Sequence, residues 1–92
     1  MPRVSVQLPP AFRAFYDGSA EVEVEATNVA EALASLADRA NELRSRLFSG
    51  SGALRSSVVV YVDEQDFRYL DRERTVLHDG SRLSIVSALA GG

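Results

Sequence analysis

Cysteine and lysine are both absent from this chain of 92 residues. Without cysteine the protein can have no disulfide scaffold, no thiolate metal site and no cysteine nucleophile. The ten basic residues are all arginine, so no side chain can accept an isopeptide bond and lysine-linked chains of the protein cannot form. The single histidine, His78, excludes a histidine-rich metal cluster. We therefore expect no bound metal ion.

Long apolar runs and concentrated positive charge are also missing. No apolar run approaches the roughly 20 residues that a membrane span needs, and residues 1–5 lack the apolar segment of a signal peptide. The net charge is −3 and the arginines are spread along the chain. Nucleic-acid binding normally needs a basic patch. We expect a cytoplasmic protein that binds neither nucleic acid nor membranes, with residues 1–92 forming one small domain.

Alternating apolar and polar residues predict the first strands. Val4, Val6 and Leu8 alternate with polar residues, which is typical of a half-buried strand. The segment 21–25 alternates valine with three glutamates, whose like charges indicate a solvent face and not catalytic machinery. The intervening aromatic residues are expected to cap the open end of the core, with a ligand shelf as the alternative: Phe12, Phe15 and Tyr16.

The central part of the sequence predicts one long amphipathic helix over about Val29 to Phe48. Asn28 is placed to cap it, and Glu31 follows three residues later, where a capping-box acid reaches back to the N-cap N–H group. Spacings of three and four residues place one apolar stripe on the helix. Its members are Val29, Leu33, Leu36, Ala40, Leu43 and Leu47.

Three further strands are expected after the helix, at 57–62, 67–70 and 82–88. The acidic residues 63–66 fit a solvated turn and lack the spacing of a calcium loop. His78 precedes an Asp-Gly dipeptide and is expected to be a solvated turn residue. The order β-β-α-β-β-β predicts an α+β fold of the β-grasp (ubiquitin-like) type. We expect a mixed sheet of four to five strands with one main helix on one face, and the first and last strands parallel at its centre.

The sequence ends in Gly91-Gly92, directly after the last expected strand. Glycine has no Cβ, so such a tail can lie extended in a channel too narrow for other residues. A frayed tail without function is the alternative, because termini are often poorly ordered. We expect residues 88–92 to be a flexible tail.

The chain resembles the small ubiquitin-like sulfur carriers of the ThiS/MoaD family. The resemblance covers essentially the whole chain and is most specific over 77–92, which has a Leu-x-Asp-Gly turn, a short strand and the diglycine. The strand 58–62 followed by acidic residues is also similar. Ser87-Ala88 stands where molybdopterin-synthase small subunits usually have Pro-Pro. The ending and the longer 49–56 loop are more similar to actinobacterial carriers of the CysO type.

The resemblance implies a carrier and not an enzyme. A ubiquitin-activating-type (ThiF/MoeB-like) adenylyltransferase, using ATP and Mg²⁺, would adenylate the carboxylate of Gly92, and a persulfide sulfur would convert it to a thiocarboxylate. Leu89, Ala90 and Gly91 would thread the partner's active site. The carrier itself would bind no cofactor.

Two further partners follow from the resemblance, namely a biosynthetic enzyme that accepts the sulfur and a metalloprotease that trims the tail or the product. The pathway is left open among cysteine, thiamin, molybdopterin, tRNA thiolation and natural products. The alternatives are a ubiquitin-like modifier conjugated through Gly92, a molybdopterin synthase small subunit, and a binding module with an incidental tail.

The outer face of the sheet offers a docking surface for such partners. If the core-facing side chains of 58–62 and 82–86 alternate with outward ones, Val59, Tyr61 and Val86 lie together on the outside. An apolar patch close to the tail is a candidate docking surface. Plain β-propensity is the alternative explanation for these residues.

Overall fold

The computed structural model describes residues 1–39 and 41–87. Its single five-stranded sheet consists of β1 (Arg3–Gln7), β2 (Glu21–Glu25), β3 (Val58–Val62), β4 (Gln65–Asp66) and β5 (Arg82–Ser87). The spatial order is β2-β1-β5-β3-β4. β1 and β5 are parallel, and the other neighbours are antiparallel. The expected central parallel pair is therefore present.

The helical segment is two helices, α1 (Val29–Ala37) and α2 (Asn41–Leu47), so the prediction of one helix to Phe48 is wrong. After α1 the N–H of Arg39 donates to the carbonyl of Leu36 at 3.2 Å, three residues back. This tightening is typical of a helix end. The predicted apolar stripe is nevertheless buried on both helices, with Leu33, Leu36, Leu43 and Leu47 all fully buried, whereas Ala40 lies outside the described residues.

Helix α1 begins at the residue that the sequence predicts. The side-chain oxygen of Asn28 accepts a hydrogen bond from the N–H of Glu31 at 2.8 Å. The Glu31 carboxylate reaches back to Thr27, accepting from its N–H at 2.7 Å and from its hydroxyl at 2.6 Å. The expected partner was the N–H of Asn28, so the acid satisfies a donor one residue earlier. The Asn28 side chain thereby satisfies an N–H group that the first helical turn leaves without an intrahelical partner, and Glu31 satisfies the N–H just before the cap.

Residues 10–16 form a 3₁₀ helix that closes one end of the core. Phe12 is only 2% exposed, and Phe15 and Tyr16 pack against the core from outside. This is the capping role that the sequence favoured over a ligand shelf. The inner faces of the central strands complete the core with Val4, Val6, Val58, Val60, Val62, Leu83 and Ile85.

Strand β4 lies two residues earlier than predicted. Residues Phe67–Tyr69 form a 3₁₀ helix and not a strand. Asp66 caps it, accepting a hydrogen bond from the N–H of Arg68 at 2.9 Å, while Phe67 is buried in the core. The hydrogen bond from the Arg68 N–H to the Asp66 side chain favours this helical turn over continuation of the strand.

Among the described residues, every helix is too short or too polar to cross a membrane.

Candidate functional site

The four tail residues of the predicted site, Leu89, Ala90, Gly91 and Gly92, lie outside the described residues. The structure does describe β5, the strand that leads to them. β5 pairs with β1 on one side and with β3 on the other. Five extended residues span at most about 17 Å. The carboxyl group of Gly92 therefore lies within roughly that distance of the end of β5.

The beginning of β5 is fixed by hydrogen bonds to two neighbouring segments. The Asp79 carboxylate accepts from the N–H of Arg3 at 2.9 Å, and the N–H of Gly80 donates to the Arg3 carbonyl at 2.9 Å. Gly80 has φ +89°, which glycine adopts without steric cost. The Asp63 carboxylate accepts from the N–H of Arg82 at 2.9 Å. These contacts fix the position at which β5 begins. His78 is exposed beside this turn.

The structure places Val59, Tyr61 and Val86 on the outer face of the sheet, away from the helices. Val59 lies directly opposite Val86, and Tyr61 lies opposite Ser84 on the same pair of strands. Val86 is 47% exposed, whereas Val59 and Tyr61 are half-buried. The three side chains form one small apolar area, which we call the outer patch. Its docking role stays a prediction.

Charge divides the outer face into two sides. β2 forms the sheet edge on one side and exposes Glu21, Glu23 and Glu25, of which Glu23 lies 3.7 Å from the Arg3 guanidinium. A polar strip follows on β1 and β5, where the hydroxyl of Ser84 donates to the side chain of Gln7 at 3.1 Å. The outer patch lies beyond it. A partner on this face therefore meets carboxylates on one side and apolar side chains on the other.

The far side of the outer patch carries an ion pair that the sequence reasoning missed. Asp66 is the neighbour of Tyr61 across β3 and β4. Its carboxylate accepts from Nε of Arg68 at 3.0 and 3.1 Å and from Nη2 at 2.6 Å. Hydrogen bonds from the side chain and backbone of Arg68 hold the pKa of the Asp66 carboxyl below its usual value. The sequence indicated only a solvated turn here, because an acid and a base two residues apart meet only when the chain turns between them.

The described residues also contain a groove of about 740 Å³ on the helical side, lined by α1, α2 and the loop after α2. It lies on the layer opposite the outer patch. Within residues 1–39 and 41–87, no group of three or more histidine, aspartate or glutamate side chains is arranged to hold a metal ion.

Comparisons with known proteins agree with this architecture. The model of the ThiS family matches residues 6–92. The sulfur carrier protein CysO of Mycobacterium tuberculosis is 28% identical over 91 residues, covering 97% of this chain and 98% of the relative.

Solved structures show the same fold. The crystal structure of the Amycolatopsis orientalis BexX/CysO complex contains a chain that matches with a TM-score of 0.83 and 29% identity, covering 97% of this chain and 99% of that one. The small archaeal modifier protein 1 of Methanosarcina acetivorans matches with a TM-score of 0.88 and 24% identity over 100% of this chain and 98% of that one. The predicted β-grasp fold is confirmed, and the part of the chain that the structure describes has two α-helices where the sequence predicted one.

Proposed function

Since the chain belongs to the ThiS family, we propose that it is a sulfur carrier whose Gly92 carboxylate is converted to a thiocarboxylate. The observation that carries this proposal is the family match, which extends through the diglycine to residue 92. The similarity to CysO, a protein named as a sulfur carrier, supports it over nearly the full length of both chains. The resemblance to ThiS/MoaD carriers expected from the sequence is thereby confirmed.

The chemistry requires activation, because a carboxylate repels nucleophiles and has no good leaving group. In the proposed first step, a Gly92 oxygen attacks the α-phosphorus of ATP, and pyrophosphate leaves. A persulfide sulfur on the partner then attacks the acyl carbon and displaces AMP, giving an acyl disulfide. A thiol of the partner reduces that bond, releasing the thiocarboxylate and forming a disulfide between the two partner sulfurs. The partner thus supplies the catalytic groups and the sulfur for these covalent steps, and the carrier supplies the carboxyl group.

The chain itself contributes by positioning its tail. β5, held between β1 and β3, delivers residues 88–92 from a defined point, while Leu89, Ala90 and Gly91 thread the partner's channel. A side chain at position 91 would obstruct that channel. The outer patch provides area for the adenylyltransferase and, at a later stage, for an enzyme that accepts the sulfur. The complex of CysO with BexX supports the expectation that such a carrier docks on a second protein. The metalloprotease partner stays a prediction.

The test is the intact mass of the chain after incubation with ATP, Mg²⁺, a persulfide donor and the adenylyltransferase of the same organism. We expect a gain equal to exchange of one oxygen for one sulfur. Because the chain has no cysteine, a thiol-alkylating reagent then labels only the thiocarboxylate. A variant lacking Gly91 and Gly92 is the control and should gain neither sulfur nor label.

Two results would contradict the proposal. One is an unchanged mass for the full chain under conditions in which the enzyme consumes ATP on another carrier. The other is attachment of the chain through Gly92 to lysines of target proteins with no thiocarboxylate formed, which would identify a protein modifier.

A further inference from the structure

The Arg68 guanidinium is held in one orientation beside the outer patch. Three hydrogen bonds of 2.6 to 3.1 Å join it to the Asp66 carboxylate. The Arg68 side chain is 50% exposed, whereas that of Asp66 is 10% exposed. Residues opposite each other on antiparallel strands share a face, so Asp66 lies on the same side of the sheet as Tyr61. The pair therefore forms one border of the outer patch.

The guanidinium keeps hydrogen-bonding capacity for another molecule. Arginine has five N–H donors, and the contacts with Asp66 use the Nε–H and one N–H of Nη2. No other acceptor among residues 1–39 and 41–87 bonds to this side chain. Because Asp66 already fixes the orientation, a partner carboxylate that binds the remaining N–H groups meets a preorganised cation. Less side-chain entropy is lost on binding as a result.

The occupant that fits this surface is the enzyme that activates the tail. Val86 precedes Ser87, the last described residue, and only five residues separate that point from the Gly92 carboxyl group. The five-residue tail limits the distance between the strand end and the enzyme's active site to about 17 Å, and the outer patch begins at that strand end, so it lies close to the enzyme. Charge then sets the orientation, since an acidic group of the enzyme is attracted to Arg68 and repelled by the three exposed glutamates of β2.

We propose that Arg68 is a docking residue for the adenylyltransferase, which places a carboxylate on the guanidinium next to the apolar side chains that cover Val59, Tyr61 and Val86. The proposal rests on the proposed function, because it assumes that Gly92 is adenylated. It assigns to the enzyme an apolar surface bordered by at least one acidic residue. The Asp66 carboxylate acts through Arg68 by holding it in place.

The experiment measures the rate of adenylation against carrier concentration for wild type, Arg68→Gln and Arg46→Gln. Arg46 is the matched control, because it is 45% exposed and pairs with Glu42 at 2.9 Å on the helical side. We expect Arg68→Gln to raise KM about tenfold, which corresponds to about 1.4 kcal/mol, with kcat unchanged. Arg46→Gln should match wild type. Arg68→Lys keeps the positive charge but loses the planar set of guanidinium donors, so its KM should lie between those of wild type and Arg68→Gln.

A salt series separates docking from a purely structural role. The KM of wild type should rise with ionic strength, and that of Arg68→Gln should rise less, because the screened charge pair has been removed. Circular dichroism and the urea midpoint show whether each variant is folded. Equal KM values and equal salt dependence for folded Arg68→Gln and wild type would overturn the proposal.

If Arg68→Gln slowed sulfur transfer to the acceptor enzyme and left adenylation unchanged, the proposal would also be overturned, since Arg68 would then serve another partner. If wild type itself forms no adenylate, the proposed function has failed, and that outcome is distinct from a failure of the Arg68 assignment.

Discussion

The turn between β3 and β4 places two acidic residues in the left-handed region, with φ +48° at Asp63 and +74° at Glu64. A two-residue hairpin turn of this kind matches the twist of its strands, and glycine or asparagine usually occupies it. Asp63 has a compensating contact, because its carboxylate accepts the Arg82 N–H at the start of β5. For Glu64 no side-chain hydrogen bond is present among the described residues. The strain at position 64 therefore has no local compensation.

Glu64→Gly should stabilise the protein by about 0.5 kcal/mol, because removing the left-handed strain of roughly 1–2 kcal/mol outweighs the entropy cost of glycine. The measurement is the free energy of unfolding from urea titration at neutral pH.

Gly80→Ala is the converse control for this prediction. Gly80 has φ +89°, and no heavy atom beyond its two neighbours in the chain lies within 4 Å of the position that an alanine Cβ would take, so backbone strain is what opposes the substitution. The Gly80→Ala variant should be less stable than wild type. A Glu64→Gly variant less stable than wild type would contradict the assignment of strain to Glu64.

At the level of elements, the end of α1 is hydrogen-bonded to a residue far away in sequence. The hydroxyl of Tyr16, at the end of the 3₁₀ helix, donates to the carbonyl of Leu36 at 2.9 Å. The Arg39 guanidinium lies 5.0 Å from the centre of the Tyr16 ring. The hydroxyl thus adds a second hydrogen bond to a carbonyl in the last turn of α1, which also accepts the N–H of Arg39.

Tyr16→Phe should cost about 1 kcal/mol of unfolding free energy at neutral pH, the typical contribution of one hydrogen bond. Burial raises the pKa of Tyr16 above its ordinary value of about 10, although Arg39 opposes the shift. The folded state then binds the proton more tightly than the unfolded state. This contribution is therefore complete below about pH 10 and is lost as the pH rises through the folded pKa.

The measurement for Tyr16→Phe is urea unfolding at pH 7 and at several values above pH 10. The difference between wild type and Tyr16→Phe should shrink on the alkaline side. Tyr69→Phe is the control, since Tyr69 is 86% exposed, and it should match wild type at pH 7. If this difference in unfolding free energy grew with rising pH, the hydrogen bond of Tyr16 could not be its cause.

The same junction shows what periodicity can and cannot predict. Leu33, Leu36, Leu43 and Leu47 share one phase, so the stripe correctly predicts which side chains are buried. It cannot detect a break that preserves the phase. At the end of α1 the Leu36 carbonyl accepts from the hydroxyl of Tyr16, 20 residues earlier, and from the N–H of Arg39, three residues later, and the apolar pattern indicates neither contact.

Strand β4 and the Arg68 ion pair were missed for a related reason. A two-residue strand contains too few residues for alternation to be visible, and the competing signal was a single side-chain cap at Asp66. The tail residues of the candidate site were predicted from the diglycine and the family resemblance, and the described residues leave that prediction untested.

For the whole molecule, one face of the sheet is covered by the helices and the other is exposed. Both α-helices cover the inner face, where Val60 is fully buried, whereas Val86 on the outer face is 47% exposed. In a chain without cysteine, no disulfide contributes to stability, so the free energy of folding depends on the covered face. Substitutions on the outer face should therefore have little effect on stability.

The same substitution on the two faces should consequently have opposite effects. Val60→Thr places a hydroxyl in the core and should cost about 1–3 kcal/mol of unfolding free energy, with the KM for adenylation unchanged in the folded protein. Val86→Thr keeps the β-branched shape on the surface, so stability should change by less than about 0.5 kcal/mol. If the adenylyltransferase covers Val86, however, the hydroxyl is desolvated in the complex, and KM should rise about five- to tenfold. Urea unfolding and adenylation kinetics on both variants measure the two quantities, and an unchanged KM for Val86→Thr would show that the enzyme binds elsewhere than the outer patch.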